Sequence, residues 1–498
     1  MICLGVDIGG TGCKCAAFDE CGVQYALSYA EYTLAAGTSN LPPDMLYRAV
    51  MCVMDDCCKQ LPTLMNVAAI TISSFGESFV SVDAQGKPLS DILMYFGNAE
   101  SEDFSELVRR VGAERFMRIA RIMPDASYSL AKMCYTLKNA RKPVYKFLFI
   151  ASYLCFCLTG KSVCDESLAC RSLLYDVEKH CWSDELLDLC GIAHDLLPEV
   201  LPTGSIAGTI LPDLAETLGL PRTVQIVIGS HDQIVNALGA GVCRPGDAVD
   251  TSGTCECITP LFSKIPEGLD FQKNNFACVP YLQTGGYVTY AYNISAGSVV
   301  RWYRDALGGI FRQEAERSAT DIYDVFNRNC PAEPSNLLVL PFLQGMGGTP
   351  QVNPSTTGLI AGLTTQTRLS DIYRAILEGI TFEMRYNQDA LAKNGVTFER
   401  LYACGGGARS NVWLQIKADI LGCEIVRVET EETGAMGSAI LGFAAVTGES
   451  PLEIASRFVR YGKHFVPNPA NRAIYERQYA QYCLLRDFYT KSERYTNR

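Results

Sequence analysis

The chain has 498 residues, of which 48% are hydrophobic and 19% charged, with a formal net charge of -11. That length is more than one hydrophobic core supports, so two domains are expected, and the composition excludes a disordered protein. The acidic balance argues against wrapping a nucleic acid, whose phosphates need clustered Lys and Arg, but permits one nucleotide, which takes a few local donors and a metal ion.

The N-terminus begins as a strand, with Ile2, Leu4, Val6 and Ile8 alternating with small or polar residues. Without a basic start and a long apolar stretch it carries no secretory signal, which implies a cytoplasmic protein. The strand runs into Asp7-Ile8-Gly9-Gly10-Thr11-Gly12-Cys13-Lys14. Consecutive glycines let backbone N–H groups approach an anion. Thr11 adds a hydroxyl, Lys14 a positive charge, and Asp7 is placed to hold magnesium, directly or through water. An ordinary hairpin explains the same residues, and the spacing is neither a Walker P-loop nor a Rossmann fingerprint.

A second strand, Ala68 to Ile72, ends at Ser73-Ser74-Phe75-Gly76-Glu77-Ser78, where Glu77 is placed either to accept hydroxyl hydrogen bonds or to sit in solvent. Ser127 to Asn139, Phe147 to Leu158 and Ser183 to Leu189 carry helical spacing. Phe147 to Leu158 is the longest uncharged apolar run and is too short to span a bilayer, so no membrane segment is expected. Val224 to Ile228 is a short buried strand leading into Gly229-Ser230-His231-Asp232-Gln233, with a helix from Gln233 to Gly241. A carboxylate at such a strand end suits a general base, and Asp232 as a helix cap is the competing reading.

The pattern restarts after Arg244-Pro245-Gly246, which divides the chain into 1–245 and 246–498. Ala248 to Thr251 is a strand entering Ser252-Gly253-Thr254, a second glycine-hydroxyl turn. Strands follow at Val288 to Tyr292 and Leu337 to Leu340, then a long helix from Ser370 to Ala390. The strand Leu401 to Cys404 ends in Gly405-Gly406-Gly407-Ala408-Arg409-Ser410-Asn411, ahead of a helix from Asn411 to Leu421. Three glycines in a row cost conformational entropy, so exposure of backbone to a flat ligand is the expected reason for them. Strands alternating with helices mean an α/β protein made of two similar halves. The 22 cysteines lie scattered in apolar runs without zinc-site spacing, and with only four His they read as reduced core thiols.

Together these turns resemble the FGGY family of carbohydrate kinases, from about residue 2 to about residue 465. The most specific stretch is Gly358-Leu359-Ile360-Ala361-Gly362-Leu363, followed by Asp371-Ile372-Tyr373-Arg374-Ala375-Ile376-Leu377-Glu378. Gly406 to Gln415, Asp165 to Arg171 with Leu174-Tyr175-Asp176, and Ser129-Leu130-Ala131-Lys132 resemble further family segments. The resemblance implies two actin-like (RNase H-like) α/β domains flanking a catalytic cleft, with sugar mainly on the first and ATP with Mg2+ mainly on the second. It implies Asp232 as base and Glu77, Gly76 and Gln233 at the sugar. Thr11, Lys14, Gly253, Thr254, Gly297, Gly406, Gly407, Ala408 and Asn411 are implied at the nucleotide, with Asp7 at the metal. The implied partners are ATP and a small sugar or polyol, and homodimers are frequent among similar proteins.

Three stretches depart from the family pattern: Gly97 and Ala99 where many members have Asp-x-Arg, Gln344-Gly345-Met346-Gly347-Gly348-Thr349-Pro350 where a charged segment is usual, and Arg301 where glycerol kinase has glutamine. The rival expectations are an actin-like ATPase of another class and a sugar sensor without turnover.

Overall fold

The computed structural model describes residues 1–33, 40–95, 101–282 and 285–491. Two mixed sheets organise it, and they repeat one plan. In the first sheet the hairpin Ile2–Ile8 and Gly12–Asp19 is antiparallel, and Ile2–Ile8 runs parallel to Val67–Ser74, which runs parallel to Gln225–His231. Ile206–Thr209 and Gln24–Glu31 close its edges antiparallel. In the second sheet the hairpin Asp247–Ser252 and Glu256–Phe262 is followed by Arg400–Cys404 and Glu424–Val428, again parallel, with Tyr461–Phe465 antiparallel at the edge. The central strands are buried on both faces by helices, which is why they read as apolar runs. The fold is thus α/β, with two actin-like domains flanking a cleft.

One helix crosses between the halves. Thr433–Thr447 packs against Ile2–Ile8, Val67–Ser74 and the helix Asp232–Gly239. Backbones meet there so closely that a Cβ on Gly437 would lie 1.8 Å from the Val235 carbonyl oxygen. Ala435, Met436, Ala439, Ile440, Leu441 and Phe443 therefore belong to the core built around the first sheet.

Several element bounds shift. The apolar run expected as one helix from Phe147 is a strand, Lys146–Phe149, paired with Phe79–Val82, and then a helix, Ile150–Thr159. The strand expected over Val288 to Tyr292 is two short ones, Gly286–Val288 and Ala291–Asn293, which lets Tyr290 turn toward the cleft. The other helices fall at Ser129–Asn139, Asp184–Cys190, Leu369–Ala392 and Asn411–Leu421. All the cysteines are free thiols. Among the described residues no helix is long and apolar enough to cross a membrane.

Candidate active site

The parallel strands of the first sheet end on one side, and their ends carry the residues expected at the sugar. Asp232 follows the strand Gln225–His231 as the first residue of its helix. It is not the cap: His231 is, and its Nδ1 accepts the Gln233 N–H at 3.3 Å. The Asp232 carboxyl keeps 28% of its surface accessible, while Oδ1 is buried without a hydrogen-bond partner. Burial, with Asp7 and Glu77 adding negative charge, pushes its pKa up to about 8. Burial likewise lowers His231 to about 4, so the neutral imidazole 3.1 Å from Asp232 Oδ1 forms no ion pair with it.

Glu77 lies beyond the end of Val67–Ser74 with φ of 63°, in the left-handed region an L-residue rarely takes. It is buried, not solvated. Burial alone would raise its carboxyl, but Arg171 and Lys132 hold it below the usual carboxylate range. Gly76 has room for no side chain: a Cβ would lie 2.7 Å from Arg171 Cγ and 2.8 Å from the His231 ring. Gln233 presents a buried Oε1 without a hydrogen-bond partner.

Four aromatic or basic side chains complete this side, and the residue patterns alone gave them no role. Tyr290 stacks on His231 with centroids 5.2 Å apart. Tyr128 and Tyr290 lie on the Arg171 guanidinium at 4.8 and 5.4 Å. Tyr95 reaches the first turn, its hydroxyl 2.9 Å from where a Gly10 Cβ would be. Gly97 and Ala99 lie outside the described residues.

The first turn is a hairpin, with Gly9 N–H donating to the Gly12 carbonyl at 2.8 Å. Asp7 and Lys14 are cross-strand partners. Lys14 pairs with Glu432 at 2.6 Å, and Thr11 is exposed at the tip. Asp7 Oδ1 is buried without a hydrogen-bond partner, and burial raises this carboxyl to about 6 against the pull of Lys14. Among the described residues no three His, Cys, Asp or Glu gather as a metal cluster. An orphaned carboxylate oxygen with no further protein ligand fits Mg2+, which takes one or two carboxylates beside phosphate and water.

The second and third turns assemble against each other. Gly297 opens the helix Gly297–Ala306 so close to Gly253 that a Cβ would lie 2.1 Å from its carbonyl oxygen, and Ser298 N–H donates to the Thr254 carbonyl at 3.1 Å. Arg301 Nη2 stands 3.5 Å from Thr254 Oγ1. Gly405 has φ of 79°, and a Cβ on Gly407 would lie 2.5 Å from Ser252 Cβ. Packing therefore explains two of the three glycines without a ligand, and Gly406 alone faces open space. Ala408 is buried, and Asn411 Oδ1 accepts from Arg427 at 2.5 Å.

Asn236, four residues after Asp232, joins the two sides. Its amide donates to Thr251 Oγ1 at 2.5 Å and its carbonyl accepts from Thr433 Oγ1 at 2.5 Å. A strand-end carboxyl, a buried carboxylate beside cations, and glycine turns across a hydrogen-bonded junction form a site suited to moving a phosphoryl group onto a hydroxyl.

Comparison with known proteins agrees. The N-terminal domain of the FGGY family of carbohydrate kinases matches residues 2–239, and the C-terminal domain matches 266–446. A xylulose kinase of Lactococcus lactis is 27% identical over 487 residues, covering 96% of this chain and 94% of its own. A gluconokinase of Bacillus licheniformis is 28% identical over 470 residues, covering 92% and 90%. A ligand-bound xylulose kinase structure from Lactobacillus acidophilus superposes with a TM-score of 0.87 at 23% identity, covering 99% of each chain.

Proposed function

The chain belongs to the FGGY family of carbohydrate kinases, and from that premise we propose how this carbohydrate kinase uses its own residues to phosphorylate a sugar or polyol with ATP. Asp232 takes the proton of the acceptor hydroxyl as that oxygen attacks the γ-phosphorus. The new P–O bond forms as the bond to the β,γ-bridging oxygen breaks, and ADP leaves. The single observation that carries this reading is the Asp232 carboxyl at the cleft, with a buried oxygen that has no hydrogen-bond partner.

Glu77 and Gln233 orient the acceptor through their side-chain oxygens, with the Gly76 backbone beside them. Thr11 and Lys14 face the phosphates, Lys14 leaving Glu432 to do so. Gly253, Thr254, Gly297, Gly406, Gly407, Ala408 and Asn411 line the nucleotide. Asp7 would hold Mg2+, which when bound offsets phosphate charge. We assign the sugar side to residues 1–245 and the ATP side to 246–498, with the helix Thr433–Thr447 reaching back across the junction. ATP as donor supports a cytoplasmic location, and a homodimer is the assembly to test by light scattering. The acceptor is a ketose such as xylulose, or a related polyol or sugar acid.

The test is ADP release from MgATP across ketoses, polyols and aldonic acids. Acceptor-dependent release for one compound class is expected. ATP binding with no response to any acceptor would contradict the assignment and favour a sensor.

A further inference from the structure

The buried ion pair beneath Glu77 goes beyond the roles assigned above. Arg171 follows the short helix Glu166–Cys170, whose cap Asp165 accepts from Ser167 and Leu168 N–H and from Thr203 Oγ1. Ser167 Oγ in turn accepts the His231 N–H at 2.8 Å, fixing this helix to the strand that carries Asp232. The guanidinium lies against both Tyr128 and Tyr290, so its plane has little freedom. Only 11% of either side chain of the Arg171–Glu77 pair is accessible.

The pairing is one-sided. Arg171 Nε donates to Glu77 Oε1 at 2.5 Å, and Nη2 lies against the same oxygen. Both of these contacts go to Oε1. The pair also secures Glu77 in a left-handed backbone conformation, a strain that persists only where surrounding structure over-determines it.

We propose that Arg171 is the positioning residue of the acceptor site: it saturates Glu77 Oε1 and thereby makes Oε2 the atom that accepts a hydrogen bond from one substrate hydroxyl. This rests on Glu77 facing the acceptor. A carboxylate oxygen can only accept, so the site demands a hydroxyl donor at one defined carbon and rejects the compound lacking it.

The experiment is a cycle between protein and substrate, using the best acceptor and its monodeoxy series. In the wild type one monodeoxy compound should lose about 100-fold in kcat/KM, since a site built to bond a hydroxyl rejects its absence strongly. In Arg171→Met the parent acceptor should itself lose about 100-fold, the penalty for that monodeoxy compound should vanish, and KM for ATP should stay unchanged. Arg171→Lys should recover part of both effects, which a purely structural role would not predict. An Arg171→Met enzyme that keeps the full deoxy penalty overturns the proposal. If that variant fails to fold, Arg171→Lys decides: an unchanged deoxy penalty overturns the proposal equally. Calorimetric binding reads the same cycle without turnover. A wild type that binds these acceptors and never phosphorylates them would sink the kinase reading, while the Kd cycle would still judge Arg171.

Discussion

Asp7 and Asp250 stand at matching points of matching hairpins, each one residue after a buried valine and shortly before a Gly-Thr pair. Their surroundings are opposite. Asp250 is fully buried and bound to Lys417, whose ammonium also meets Ser252 Oγ at 2.5 Å and Glu256 at 3.0 Å. Asp7 keeps an oxygen without a hydrogen-bond partner, beside the cleft. A repeated plan has thus made one aspartate a strut that ties its own hairpin to Lys417, and left the other available to a ligand. The lesson is that repeated topology fixes where a carboxylate stands, while its neighbours decide whether it does chemistry.

Substitutions can break that contrast. Lys417→Met leaves Asp250 and Glu256 buried without their cation, and should cost about 3–5 kcal/mol of stability, read by denaturant melting. Asp7→Asn should melt near the wild type yet lose about 100-fold in kcat. Equal stability losses would erase the distinction.

A pH profile sharpens it. Asp232 must be ionised to act as base, so kcat/KM should climb with pH and level off above about 8. Stability should run the other way. The folded carboxyl holds its proton up to about 8, against 3.8 for the unperturbed group, so between those values the native state binds more protons. Stability contributed by the neutral carboxyl is present below 3.8 and is lost as pH rises through 8. Asp232→Asn should remove this decline and raise Tm at pH 8 by about 2 °C. A lower Tm for that variant would contradict the burial argument.

The glycine run gives a smaller effect. Gly407→Ala should cost about 1–3 kcal/mol through its clash with Ser252, whereas Gly406→Ala should stay within about 0.5 kcal/mol. The smallest belongs to Lys14. Its pair with Glu432 is partly exposed, so Glu432→Gln should change stability by less than about 1 kcal/mol, and should lower KM for ATP roughly twofold by freeing Lys14.

Much of this was legible in the sequence where the signal is local. Alternating apolar residues and terminal glycines mark the strands that carry Asp7, Glu77, Asp232 and Gly405. What depends on distant packing was not. Nothing near Thr433–Thr447 says that it covers the first sheet, although its small residues at 434, 435, 437 and 438 are the trace of close helix contact. Phe147 to Phe149 joined a helix reading because a buried strand and a buried helix are both continuously apolar, and periodicity cannot separate them. Arg171 and Lys132 sit in recognisable segments, but their weight comes from facing Glu77 across sequence gaps of 94 and 55 residues. The competing reading of Glu77 as a solvent-facing loop acid fails for the same reason, since that side chain is buried.

The central claim is that Asp232 activates the acceptor hydroxyl. Its most direct test is single-turnover transfer of phosphate from γ-labelled ATP to the best acceptor, in wild type and in Asp232→Ala, with binding of both ligands measured alongside. The account predicts intact binding and a transfer rate at least about 1,000-fold slower in the variant. Transfer at the wild-type rate with both ligands bound would contradict it.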